Sequence, residues 1–156
     1  MKKIILIVTI ICLISIEYTR AGNNYQTQCV SVQNDGYITI KIWNTKCGRS
    51  YKDISARKDA IHAILYSGIA EGNGCLTQYP VLNTKEEMDR FKKIEDEFFS
   101  KKGKWQIFIR SSTLENAQPI TMKHNKWRAY EVSVSKNELR KYLEEQKIVE
   151  SLNNGF

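Results

Sequence analysis

The chain has little of what catalytic and metal-binding sites require. Its 156 residues include two histidines, four cysteines and two prolines. Neither Cys-x-x-Cys nor His-Glu-x-x-His occurs, and zinc sites use compact sets of this kind. The Gly-x-Ser-x-Gly elbow of serine hydrolases is missing, and the glycine-bearing stretch 71–74 is too short for a phosphate-binding loop. The sequence therefore predicts no metal site, no cofactor and no enzymatic activity.

Long apolar runs are also missing, apart from one at the N-terminus. Lys2 and Lys3 precede the apolar stretch 4–16, and small residues at 19 and 21 follow it. This order is typical of a cleaved signal peptide, and the run is shorter than the roughly 20 residues that span a bilayer. We predict a signal peptide over 1–21 and one domain over 22–156, located in the periplasm or at the outer envelope. Retention of the segment as an anchor is the alternative.

The cysteines left after cleavage are odd in number, namely Cys29, Cys47 and Cys75. Outside the cytoplasm two of them are expected to form a disulfide, and the sequence leaves open which two. Cys75 is the one candidate nucleophile, but no base adjoins it in the sequence. An oxidised or buried cysteine is therefore the favoured interpretation. His62 and His124 are expected at solvent edges or helix caps.

The charge is moderately basic. The chain carries a formal net charge of +7, of which the predicted signal peptide contributes +2 through Lys2, Lys3, Arg20 and Glu17. Such an excess favours acidic protein or glycan partners and peripheral contact with the outer membrane. No basic run is interleaved with stacking aromatics, so the sequence predicts no nucleic-acid binding.

Turn chemistry and apolar periodicity predict the elements. Segments 29–33 and 37–45 are expected to form a hairpin around the Asp35-Gly36 turn, with Ile38, Ile40 and Ile42 on one face. A helix from Ser50, capped with Asp53, should end at Gly68, and a loop should follow over 69–83. The expected apolar side of this helix comprises Ile54, Ile61, Ile64 and Leu65.

The second half of the chain repeats these signals. Thr84 and Glu87 form a capping box for a helix that is expected to run to Gly103. Alternation predicts strands over 104–110 and 127–134, and Ser135 with Glu138 should cap a last helix. The order β-β-α-α-β-β-α predicts an α+β fold, with an antiparallel sheet of about four strands and helices packed on one face.

Three stretches together carry a family resemblance: 56–64 leading to Gly68, Phe98-Phe99, and 130–134 leading to 139–144. They resemble small exported proteins of unknown function in Bacteroidetes. More distantly, they are similar to the α+β domains of outer-membrane-associated assembly lipoproteins and flagellar assembly proteins. The resemblance covers most of the mature chain, brings no catalytic residue with it and implies an accessory role in the cell envelope.

The sequence thus predicts a non-enzymatic envelope protein that contacts other proteins, with a place in an envelope assembly. The alternative is a small domain that binds a glycan or another ligand through exposed tryptophans and the 69–83 loop, because exposed aromatic clusters mark binding surfaces. The sequence does not identify the partner or ligand. The candidate binding surface comprises Trp43, Trp105, Trp127, Asn73 and Tyr79.

Overall fold

The computed structural model describes residues 24–72, 75–110, 120–121 and 128–151. These residues form antiparallel strands and helices around one apolar core, so the α+β class is confirmed. The predicted signal peptide lies outside the described residues. The three long strands are β1 (Tyr25–Val32), β2 (Tyr37–Asn44) and β3 (Arg128–Ser135). The helices are α1 (Asp53–His62), α2 (Lys85–Lys92), α3 (Glu95–Phe98) and α4 (Lys136–Glu145).

The predicted hairpin is confirmed. β1 and β2 pair antiparallel, and the Gln33 amide donates to the Tyr37 carbonyl at 2.8 Å. Gly36 has φ +83°, a conformation that L side chains rarely adopt, and a Cβ there would collide with Asn137. β2 is the central strand because it pairs with β1 on one side and β3 on the other.

One face of the sheet is buried and packs against the rest of the apolar core. Ile38, Ile40 and Ile42 are 0–1% exposed, as predicted. They stand in register with Val134, Val132 and Tyr130 of β3, which are also buried. Alternation with a period of two therefore identified the core face of both strands. Helix α1 contacts both β2 and β3.

Helix α1 begins later than predicted. Ser50 belongs to a 3₁₀ turn, Gly48–Ser50, and its hydroxyl donates to the Cys47 carbonyl at 2.7 Å. The predicted Ser50 cap is therefore wrong, and the residue before the helix, Lys52, makes no side-chain cap. The prediction that Ile54 belongs to the apolar side of this helix is also wrong, because Ile54 is 49% exposed. It shares the angular position of Ile61 but lies in the first turn, beyond the packed stripe that starts at Ala56.

The predicted stop at Gly68 is confirmed. A π turn over Ala63–Ser67 continues α1, and Gly68 ends it with φ +74°, its amide donating to the Ala63 carbonyl at 2.8 Å. The turn buries Ile64 and Leu65.

Helix α2 starts as predicted but is shorter than expected. Thr84 and Glu87 form the full capping box. The helix ends at Lys92, since the amides of Lys93 and Ile94 bond to carbonyls three residues back and tighten the turn. The short α3 then ends at Phe98, so the prediction of one helix to Gly103 is wrong.

The predicted strand over 104–110 is wrong. Lys104–Phe108 is a 3₁₀ helix, and Ile109 alone makes an isolated bridge, to Val134. Trp105 and Phe108 are buried three residues apart, whereas Ile107 is 67% exposed. The apolar residues at 105, 107 and 109 fit a strand, and those at 105 and 108 fit a 3₁₀ helix. The segment forms the helix, in which Trp105 and Phe108 both pack into the core.

The C-terminal predictions hold. β3 occupies the expected position, and Ile120–Thr121 pairs antiparallel with Ala129 and Arg128 of that strand. The Ser135 hydroxyl accepts from the Glu138 amide at 3.4 Å and so caps α4, which buries Leu139 and Leu143. None of the helices in the described ranges has the length and apolar character needed to cross a bilayer.

Candidate functional site

Two large apolar side chains stand out from the surface on one short loop, residues 75–80. Leu76 and Tyr79 are each 79% exposed, the highest values among the exposed large hydrophobic residues of the described chain. Isolated apolar residues on a surface are common, but two on one six-residue loop make that loop a candidate contact surface.

The first end of the 75–80 loop is tethered to the edge strand of the sheet. Cys75 forms a disulfide with Cys29 of β1, across 46 residues of sequence. The backbones of Gly72 and Cys75 bond reciprocally, at 3.2 and 2.8 Å. The Cys29 amide donates to the Ala70 carbonyl at 2.9 Å, which binds the preceding segment to β1.

Glycine at position 72 is needed for this close approach. A Cβ at Gly72 would lie 2.4 Å from the Gln28 side chain and 2.7 Å from the Cys29 carbonyl oxygen. Both distances are shorter than real Cβ contacts, and one of the groups is backbone that cannot move aside.

The second end of the loop has separate supports. Ile69 and Gln78 exchange backbone hydrogen bonds of 2.8 and 2.9 Å. Lys136 Nζ donates to the Tyr79 carbonyl at 3.2 Å and to Gln78 Oε1 at 3.4 Å. Burial lowers the pKa of Lys136, with a smaller contribution from Arg140. The loop is therefore fixed at both ends while its two apolar side chains face solvent.

The cysteine chemistry follows from the same tether. Cys75 is in a disulfide and so carries no free thiol that could act as a nucleophile, which agrees with the prediction of an oxidised cysteine. Cys47 is free and exposed. Among the described residues no group of three or more His, Cys, Asp or Glu is placed to hold a metal ion.

The structure does not bring the predicted binding residues together. Trp105 is 1% exposed, donates from Nε1 to the Ser100 carbonyl at 2.9 Å and is covered by Lys58. It therefore cannot belong to an exposed aromatic surface. Trp43 is half-buried, and Tyr79 is exposed. Trp127 and Asn73 lie outside the described residues.

Trp43 and Tyr79 lie at opposite ends of the sheet. Lys136, which holds Tyr79, directly follows Ser135, the partner of Tyr37 at the start of β2. Trp43 is six residues further along β2, which corresponds to about 20 Å of extended strand. One small ligand could not contact both rings.

A second polar cluster lies beside α1, and its groups bond to one another. The Tyr25 hydroxyl is 2.7 Å from His62 Nδ1 and 3.2 Å from Ser67 Oγ. Burial raises the pKa of Tyr25 to about 12. Burial also lowers the pKa of His62, against the attraction of Glu95 and Asp59. His62 is half-buried in the last turn of α1, and His124 lies outside the described residues.

Two further pairs extend this cluster. Tyr51 donates to Asp59 Oδ2 at 2.7 Å, and Tyr66 donates to Glu95 Oε1 at 3.1 Å. Burial raises the pKa of Asp59, opposed by the hydrogen bond from Tyr51. These contacts link β1, α1 and α3 through satisfied hydrogen bonds, so the cluster serves to stabilise the fold.

Sequence reasoning missed Leu76 and Lys136. Leu76 could have been noticed as the one large aliphatic residue between Cys75 and Pro80, in a segment without helical or strand periodicity. The sequence around Lys136 has no pattern that indicates this role, because the role depends on the 75–80 loop contacting the start of α4.

Comparison with protein-family models, curated proteins and solved structures finds no match to this chain.

Proposed function

We propose that the protein is a non-enzymatic accessory protein of the cell envelope that binds a partner protein through its 75–80 loop. The observation that carries this proposal is the exposure of Leu76 and Tyr79 on a loop fixed at both ends. A fixed loop loses little conformational entropy on binding, so apolar contacts made by it contribute more fully to affinity. Tyrosine is also among the side chains that dominate binding energy at protein interfaces.

A protein fits the 75–80 loop better than a lipid surface does. The 69–83 segment contains Glu71 and neither lysine nor arginine, so it offers no attraction to anionic headgroups. Two apolar side chains alone give weak membrane binding. A partner protein could enclose both side chains in pockets and bond to the exposed Thr77 hydroxyl at the rim.

Two observations support export. The N-terminal sequence has the order of a signal peptide. The Cys29–Cys75 disulfide suits an oxidising compartment, where such bonds form and persist.

The glycan-binding alternative has less support. A sugar-binding platform needs several aromatic rings on one surface, and Trp105 is buried while Trp43 lies at the other end of the sheet. Among the described candidates Tyr79 is left alone at its site.

The test is site-specific photocrosslinking in the cells that make the protein. The photoreactive amino acid p-benzoylphenylalanine replaces Tyr79 in one variant and Ile107, a 67% exposed control residue, in another. We expect a discrete crosslinked protein from position 79 and none from position 107. Excess purified wild-type protein should compete, and Leu76→Asp should need more than about ten times the concentration, because loss of an interface anchor costs at least a factor of ten.

Equal crosslinking at the two positions, or equal competition by wild type and Leu76→Asp, would contradict the proposal. Crosslinking that disappears with added glycan but not with added wild-type protein would favour the alternative.

A further inference from the structure

We infer that the Cys29–Cys75 disulfide controls the position of Leu76 but not that of Tyr79, so that its reduction removes half of the contact surface. This inference rests on the function proposed above for the 75–80 loop. Binding would then depend on the redox state of the disulfide, because Leu76 and Tyr79 are held in place by different bonds.

The supports of Leu76 depend on its neighbour in the chain. Cys75 is held by the disulfide to Cys29, which is 0% exposed and belongs to the core. Its other tether is the backbone pair with Gly72, which itself packs against β1. The Leu76 carbonyl accepts a hydrogen bond from Gln78 Nε2 at 3.1 Å. Without the disulfide, this end keeps the backbone pair with Gly72 and the packing of the half-buried Cys75 side chain, but loses its covalent link to β1.

The supports of Tyr79 do not involve the disulfide. The Ile69–Gln78 backbone pair joins the residue before Tyr79 to a segment whose Ile69 is 1% exposed. Lys136 Nζ holds the Tyr79 carbonyl from helix α4. Both supports remain when the sulfurs separate.

The chemical step is ordinary thiol–disulfide exchange with a dithiol reductant. A reductant thiolate attacks Sγ of Cys75, the less buried of the two cysteines, and Cys29 leaves as a thiolate that takes up a proton. The second thiol of the reductant attacks the mixed disulfide, which releases Cys75 as a thiol. The protein disulfide gains two electrons, and the dithiol is oxidised to a disulfide.

The first experiment needs no partner. Amide hydrogen exchange is measured on the mature protein with and without dithiothreitol. We expect exchange at Cys75, whose amide bonds to the Gly72 carbonyl, to accelerate more than about tenfold. Exchange at Gln78 and at Val132 in the core should stay unchanged. Equal acceleration at Cys75 and Gln78, or loss of protection at Val132, overturns the inference, since the disulfide would then hold the whole loop or the whole domain.

The second experiment measures competition for the crosslink at position 79, with Cys29→Ala/Cys75→Ser as the reduced-state mimic and Cys47→Ser as the matched control. In the Cys47→Ser background, Leu76→Ala and Tyr79→Ala should each weaken competition about tenfold. In the mimic, Tyr79→Ala should keep its effect while Leu76→Ala adds less than about twofold, because Leu76 is no longer placed for contact.

These results separate the two proposals. If neither substitution matters in the control background, the proposed function fails. If both matter equally in the two backgrounds, the function stands and the redox control is wrong.

Discussion

The loop at 75–80 and the polar cluster beside α1 use tyrosine in opposite ways. Tyr79 is 79% exposed and is held by its backbone carbonyl. Tyr25, Tyr51 and Tyr66 are buried or half-buried and are held by their hydroxyls, which bond to His62, Asp59 and Glu95. The hydroxyl groups of the cluster therefore contribute to stability, whereas the ring of Tyr79 is free to contact another molecule.

The two regions also differ in how they are joined to the core. Most of the cluster lies on or next to β1, α1 and α3, where side-chain hydrogen bonds join strand to helix. The loop has no helix or strand of its own and depends on a disulfide, two backbone pairs and one lysine. We therefore expect substitutions in the cluster region to alter the free energy of unfolding and substitutions in the loop to alter binding.

The largest loss of stability is expected from a substitution at Ile61, a buried residue of α1. Ile61→Ala removes a side chain that is 0% exposed on α1, and a cavity in a packed core costs about 2–5 kcal/mol. Denaturant unfolding measures the loss, with Ile54→Ala as a control on the same helix, since Ile54 is 49% exposed. A loss at Ile61 no larger than that at Ile54 would mean that α1 packs on a different face.

Much of this core could be predicted from the sequence. The alternation in β2 and β3 and the caps at Thr84 and Ser135 depend on residues close together in the chain, so local rules identify them. Ile61 and Ile64 follow from helical spacing in the same way. The helix end at Gly68 could be predicted because it depends on one residue, a glycine that adopts positive φ.

The rest depends on contacts between distant residues. The segment 104–110 fits two periods, and only the burial of Trp105 and Phe108 decides between them. Three cysteines allow three pairings, and the choice of Cys29 with Cys75 needs the loop to meet β1. The 75–80 loop was included in the predicted surface through Tyr79, but its support by Lys136 comes from α4, whose start lies 57 residues away in the chain.

An intermediate effect is expected from one hydroxyl of the cluster. Tyr51→Phe removes the donor that lies 2.7 Å from Asp59 Oδ2, at a tyrosine that is 1% exposed. The carboxylate is left short of a partner, which costs about 1–3 kcal/mol. Urea unfolding at pH 7 is the measurement. Tyr79→Phe is the control and should leave stability unchanged; equal losses in the two variants would remove the distinction between the regions.

A smaller effect is expected from pH. Burial holds the pKa of His62 below its usual value, so between that folded-state pKa and about 6.5 the unfolded chain binds the extra proton. Stability should therefore fall as the pH decreases from 7.5 to 5.5. The raised pKa of Asp59 has the opposite slope, which begins above about pH 3.8. Unfolding of wild type and His62→Gln at both values isolates the contribution, which should be missing from the variant.

The smallest effect on stability is expected where the effect on binding is largest. Leu76→Ala and Tyr79→Ala change side chains that are 79% exposed, so each should alter the free energy of unfolding by less than about 0.5 kcal/mol. The same variants should compete about tenfold less well for the crosslinked partner, because the lost contacts exist only in the complex. Ile107→Ala, at a side chain 67% exposed, should change neither quantity. A Leu76→Ala variant that unfolds as readily as Ile61→Ala would show that the loop packs as part of the core, and the exposed pair could then not be assigned to recognition.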